Sequence, residues 1–143
     1  MKNKMYIAIA AAAGCFLLSG GIASAAPAVA YWEFTGAWGT GGNTYAIKTN
    51  WFTVTNSAQV VTIAGWQDVT SLGNANIDYT LVRYGFLGNT PVGMKNFNTN
   101  YPKSGVWYNY TFTNARKGED HRIELIPHSS AGMIGAGNAY DGY

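Results

Sequence analysis

After the first 25 residues, apolar and polar positions alternate with period two through most of the chain. The segments carrying this pattern are YWEFTGAW (31–38), TYAIKT (44–49), WFTVT (51–55), QVVTIAGWQDV (59–69), NIDYTLVRYGF (76–86), VWYNYTFT (106–113) and HRIELI (121–126). Each is short, rich in β-branched and aromatic residues, and bounded by Asn, Gly, Ser or Pro, which predicts strands. No heptad, repeat or helical period competes with them. Strands at this spacing predict an all-β fold, a single antiparallel β-sandwich of jelly-roll-like or Ig-like form over residues 26–143.

The segments between the strands carry turn chemistry. GTGGNT (39–44) reads as a turn, and it opens no helix that would make it a phosphate loop. LGNTPVGMKNFNTNYPKSG (87–105) reads as the longest irregular stretch, a loop of the length that is usually functional or mobile. The tail AGMIGAGNAYDGY predicts a last, Gly-rich edge strand from Met133 to Tyr140. The charge-dense NARKGEDH (114–121) reads as the hairpin turn between its two flanking strands, centred on Lys117-Gly118. Period two puts Val106, Tyr108, Tyr110 and Phe112 on one face, opposite Trp107, Asn109, Thr111 and Thr113. In the following strand Ile123 and Leu125 face inward, with Arg122 and Glu124 outward.

The N-terminus changes where such a fold is placed. A basic start (MKNKM), an apolar run of 13 residues from Tyr6 to Leu18, and the triplet Ala23-Ser24-Ala25 predict a secretory signal peptide over residues 1–25. The run is shorter than the ~20 residues a membrane span needs, and no later segment is apolar enough, so no membrane insertion is expected. A second triplet, Ala28-Val29-Ala30, offers a cut before Tyr31. Ala12-Ala13-Gly14-Cys15 loosely resembles a bacterial lipobox, so a lipid anchor on Cys15 is the alternative to free secretion.

Without the leader the chain has no cysteine, and packing alone must hold it. The net charge of +2 also disappears: without Lys2 and Lys4 the nine basic residues become seven, against seven acidic. That balance removes the electrostatic case for nucleic acid or an anionic membrane as partner.

Candidate catalytic chemistry is sparse. His121 and Glu124 are spaced H-x-x-E, which on a strand places them on opposite faces, and His128 follows later; both histidines read as partly exposed strand-end residues. No metal, cofactor or nucleophile elbow is expected. Asn109-Tyr110-Thr111 matches the glycosylation acceptor pattern, which matters in a eukaryotic host, whereas the leader looks bacterial. Outside the charged knot and its strand the acids are Glu33, Asp68, Asp78 and Asp141. A glycosidase would need two of them roughly 5–10 Å apart across a cleft, with Glu33 and either Asp68 or Asp78 as the candidates. An enzyme is not the expectation for a domain this small.

The aromatic content carries the functional signal. Beyond residue 25 there are five Trp, nine Tyr and five Phe. Most must form the core. Yet Trp51 shares a face with Thr53 and Thr55, Trp66 with Thr62, Ala64 and Asp68, and Trp107 with Asn109 and Thr111. Flat rings beside amides, hydroxyls and carboxylates suit a sugar, whose C–H face stacks while its hydroxyls hydrogen-bond. The expected ligand is therefore a glycan or cell-surface polymer, and the candidate binding residues are Trp51, Trp66, Asp68, Trp107 and Asn109. Low charge, a Gly/Tyr-rich tail and open strand edges support the alternative of a self-associating matrix or appendage protein. A secreted toxin or bacteriocin-like protein is the third reading.

Overall fold

A computed structural model describes residues 26–36, 46–128 and 131–142. The leader with Cys15, Trp38 and the GTGGNT turn lie outside the described residues. The strands are β1 (Ala28–Phe34), β2 (Ile47–Lys48), β3 (Phe52–Thr53), β4 (Val61–Val69), β5 (Ile77–Arg83), β6 (Thr90–Phe97), β7 (Tyr108–Phe112), β8 (Asp120–Pro127) and β9 (Met133–Asp141). They form two antiparallel sheets, one in the order β1-β9-β4-β7 and one in the order β2-β8-β5-β6, with β3 also paired to β8. Among the described residues there is no helix. The expected all-β, two-sheet sandwich is the fold.

The core lies between the sheets because each strand turns its apolar set inward. In β4, Val61, Ile63 and Gln67 are buried, while Ala64, Trp66 and Asp68 on the other face are only half-buried. Ile77, Tyr79 and Leu81 of β5 meet them from the second sheet, with Ile123 and Leu125 of β8 beside them. The outward Arg122 and Glu124 pair with each other, Arg122 Nε donating to Glu124 Oε1 at 2.8 Å.

Three inward glycines shape the four-stranded sheet. Gly137 pairs with Trp32 and Gly135 with Phe34 across β1–β9, and the two rings lie over the glycines. A Cβ on Gly137 would meet Trp32 Cζ2 at 2.4 Å, one on Gly135 would meet Phe34 Cζ at 2.4 Å, and one on Gly65 would meet the Tyr108 hydroxyl at 2.6 Å. The missing side chains are the space the aromatic core occupies.

That packing corrects one expectation. The glycine-rich strand near the C-terminus is present, but it is central, between β1 and β4, and not an edge. Bulky rings from its neighbour supply the apolar area that its own sequence lacks.

A second correction concerns residues 87–105. Residues 90–97 of this expected loop are β6, an edge strand paired to β5 from Ile77↔Phe97 to Arg83↔Thr90. Pro91 and Gly93 disguise it in the sequence. An edge tolerates Pro, whose lack of an N–H does no harm there, and Gly93 leaves room for Phe112 of the opposite sheet, which a Cβ would approach to 2.8 Å.

The third correction concerns NARKGEDH. β7 and β8 do not form a hairpin: β7 pairs with β4, and β8 pairs with β2, β3 and β5 in the other sheet. The segment crosses between sheets and is held there. Gly118, at φ 81°, donates its N–H to Val54 O at 2.7 Å, and Val54 N–H returns a bond to Glu119 O at 3.2 Å. Arg83 and Arg116 both reach Glu119. His121 is fully buried, contrary to the exposed strand end expected for it, whereas His128 is half exposed. The His121 Nδ1–H donates to Glu119 O at 2.9 Å and Nε2 accepts Arg116 N–H at 3.4 Å, which fixes a neutral ring. Burial lowers its pKa.

Candidate functional site: the outer face of the four-stranded sheet

The register of the four-stranded sheet lays its outward residues in rows. One row runs Glu33, Ala136, Trp66; the next runs Tyr31, Asn138, Ala64, Asn109. Asp68 follows Trp66 on the same strand face, opposite Ile134. Trp107 immediately precedes Tyr108, the residue of the last β4–β7 pair, Gly65↔Tyr108, and beyond that pair β4 continues against Tyr101. Ala64 and Ala136 are the two small residues flanking Trp66, so the indole stands over a shallow floor. Asn109, Asn138, Asp68 and Glu33 rim that floor. Four of the five sequence-predicted residues, Trp66, Asp68, Trp107 and Asn109, therefore share one surface.

Trp51 is not among them. It precedes β3 on the outer face of the other sheet, stacked under the Arg122 guanidinium at 4.4 Å and edge-on to Tyr84 at 5.5 Å. Alternation correctly put it on a polar face, but period two cannot say which of two sheets a face belongs to.

The edge of the site is built by residues 98–107, most of which fall in the expected 87–105 loop, while Val106 and Trp107 precede β7 instead of opening it. Gln67, fully buried, anchors this segment with both backbone and side chain. Its main chain exchanges two bonds with Tyr101 (3.0 and 2.7 Å), extending the β4 edge beyond β7. Its Nε2 donates to Phe97 O and Thr99 O, both at 3.0 Å. Its Oε1 accepts the Tyr79 hydroxyl at 3.0 Å, and Tyr79 in turn accepts from Tyr108 at 2.9 Å. Burial pushes both tyrosine hydroxyls well above their ordinary range, so they stay neutral donors.

The turn Pro102–Gly105, closed by Gly105 N–H to Pro102 O at 2.8 Å, then brings Lys103 onto the site. The Trp107 Nε1–H donates to Lys103 O at 3.1 Å, and Lys103 Nζ lies 5.7 Å from the centre of the Trp66 ring. Trp107 is 36% exposed. The signal in the sequence was Tyr-Pro-Lys-Ser-Gly just before Trp107: a turn that returns the chain to the same strand end.

The candidate carboxylate pairs do not face one another across a cleft. Asp78 is on the outer face of the other sheet, paired with His128 at 2.5 Å and accepting from Asn96 at 2.8 Å. Glu33 and Asp68 share the Trp66 face, but two strand spacings and two residues separate them, about 12 Å between Cα atoms. Asp141 holds a turn. It accepts Thr55 N–H at 2.9 Å, Asn56 Nδ2 at 2.6 Å and the Thr55 hydroxyl. Burial pushes its pKa up, but these donors more than offset that and hold it below the ordinary value. No group of three or more His, Cys, Asp or Glu among the described residues is placed to hold a metal.

No family model and no curated protein matches the chain. Among solved structures it is similar to a chain of "Structure of infectious bursal disease virus Gt strain", at TM-score 0.41 and 12% identity over 81% of this chain. The chain spans 29% of that protein's length, and a likeness at this level carries no functional argument.

Proposed function

We propose that this protein is a secreted, non-catalytic β-sandwich that binds a glycan or cell-surface polymer through the Trp66 face. The observation that carries the reading is the convergence of Trp66 and Trp107 beside a two-alanine floor rimmed by Asn109, Asn138, Asp68 and Glu33. A pyranose stacks on an indole face and needs neighbouring acceptors and amides for its hydroxyls, and the rows of this sheet supply both at strand spacing. Trp51 drops out of the binding set. The strand orders β1-β9-β4-β7 and β2-β8-β5-β6 support the jelly-roll-like form of the sandwich over the Ig-like one, because the first strand pairs with the last and β2 with β8, a wrapping that Ig-like sheets lack.

Retention on insoluble polysaccharides, measured beside thermal melting, tests the reading. Trp66→Ala and Trp107→Ala should weaken retention at a stability cost of about 1 kcal/mol, well under the 3–5 kcal/mol of a core aromatic deletion such as Trp32→Ala. Trp51→Ala should leave retention unchanged. Equal losses from all three tryptophans, or unchanged retention in Trp66→Ala, would refute it. Export belongs to the same reading, and intact mass of secreted material should give Ala26 as the first residue. A diacylated Cys15 in the membrane fraction would refute that part.

Self-association has one specific observation behind it. The β5–β6 turn Gly85–Gly88 presents Phe86 at 94% and Leu87 at 97% exposure, an apolar tip with no cover among the described residues. Concentration-dependent elution that Phe86→Ser/Leu87→Ser abolishes would favour assembly.

A further inference from the structure

The Trp66 face already holds a cation, and it is the protein's own. The Lys103 ammonium lies over the indole and has no carboxylate within 4 Å among the described residues. Ammonium over an indole is held by the ring's quadrupole, and Trp is the strongest such partner. Around it the fixed charges are negative. Asp68 follows Trp66 by two residues, about 7 Å along the strand. Its Oδ1 accepts Val69 N–H at 2.8 Å, and Oδ2 makes no bond among the described residues. Glu33 stands two strands across from Trp66, about 10 Å away, with one oxygen on the Tyr31 hydroxyl. The strands of this face carry no Lys or Arg. Lys103 comes from the adjoining turn on a flexible, exposed stem, so it can leave while its backbone stays fixed by Trp107.

An indole, two carboxylates and a removable ammonium together describe the complement of a cationic sugar. Building on the glycan-binding reading, we propose that the site takes a polysaccharide with free, protonated amino groups, and that Lys103 stands in for the ligand's amine until the ligand displaces it. A neutral sugar would gain the stacking but leave the carboxylates without a cation. An acidic one would set its own charge against Asp68 and Glu33.

Chitosan and chitin oligomers of equal length separate the possibilities, since they share the ring and differ in whether the amine is free or acetylated. Immobilised on beads at mildly acidic pH, chitosan should retain the protein several-fold better than chitin. Lys103→Ala should increase chitosan retention by uncovering Trp66, whereas Lys103→Arg, which keeps a cation on the ring, should not. Asp68→Asn should reduce chitosan retention and leave chitin retention as it was. Retention on chitin equal to or above that on chitosan, or a loss on Lys103→Ala, would overturn the proposal. If that chitin retention still depended on Trp66, the broader glycan reading would stand. Failure of the wild-type protein to bind any polysaccharide would end both.

Discussion

Replacing Gly137 by Ala tests the packing that sets the shape of the binding sheet. The position has no left-handed φ, so the cost is steric alone. The added Cβ would stand 2.4 Å from Trp32 Cζ2, 2.7 Å from Trp32 Cε2 and 2.7 Å from the Ala64 carbonyl oxygen. Two of those atoms belong to a ring that is 2% exposed and cannot swing away, and the third is backbone of the neighbouring strand. Overpacking of this kind costs about 1–3 kcal/mol, and contacts this short place it near the upper end. The smaller entropy of the unfolded Ala chain returns about 0.5–1 kcal/mol. The net loss is about 2 kcal/mol, or roughly 8 °C in Tm for a domain of this size. Urea and thermal unfolding of Gly137→Ala would measure it. The same change in a Trp32→Phe background should cost about 1 kcal/mol less, since the smaller ring removes part of the clash. An unchanged or raised Tm in Gly137→Ala, or strict additivity with Trp32→Phe, would show that the ring does not lie on the glycine.

Acid should destabilise the fold in two stages. His121 is held neutral, so its folded pKa lies below the unfolded value; its contribution is full above about pH 6.5 and is lost as pH falls through the folded pKa. Asp141, also lowered, adds a second loss at lower pH, below about 3.9. Urea midpoints followed from neutral to acid should show both, with Asp141→Asn flattening the lower stage; stability that rises on acidification would contradict both assignments. Gln67→Ala should cost about 3 kcal/mol, because it leaves the buried Tyr79 hydroxyl and two carbonyls without their partner. Amide exchange at Tyr101 should accelerate in that variant, and an unaltered rate would mean that Gln67 does not anchor the segment.

Alternation of side chains is a property of the strand itself, and it settled much here. It placed Ile123 and Leu125 in the core, Arg122 and Glu124 outside it, and Trp66 and Asp68 on a shared outer face with the correct neighbours along β4. What it could not carry was the partner of each strand. NARKGEDH has the composition of a hairpin turn, but whether a chain leaving β7 stays in its sheet or crosses to the other depends on burial gathered from distant strands. The same limit made β9 look like an edge, because the rings of Trp32 and Phe34 that fill its glycines come from the far end of the sequence. It hid β6 behind Pro91 and Gly93, which are tolerated only because an edge strand needs few donors and Phe112 needs the space. The site followed the same division. Sequence alone named Trp66, Asp68, Trp107 and Asn109 as outward residues, and only the cross-strand register brought them together, sent Trp51 to the opposite sheet, and laid the Lys103 ammonium over the indole.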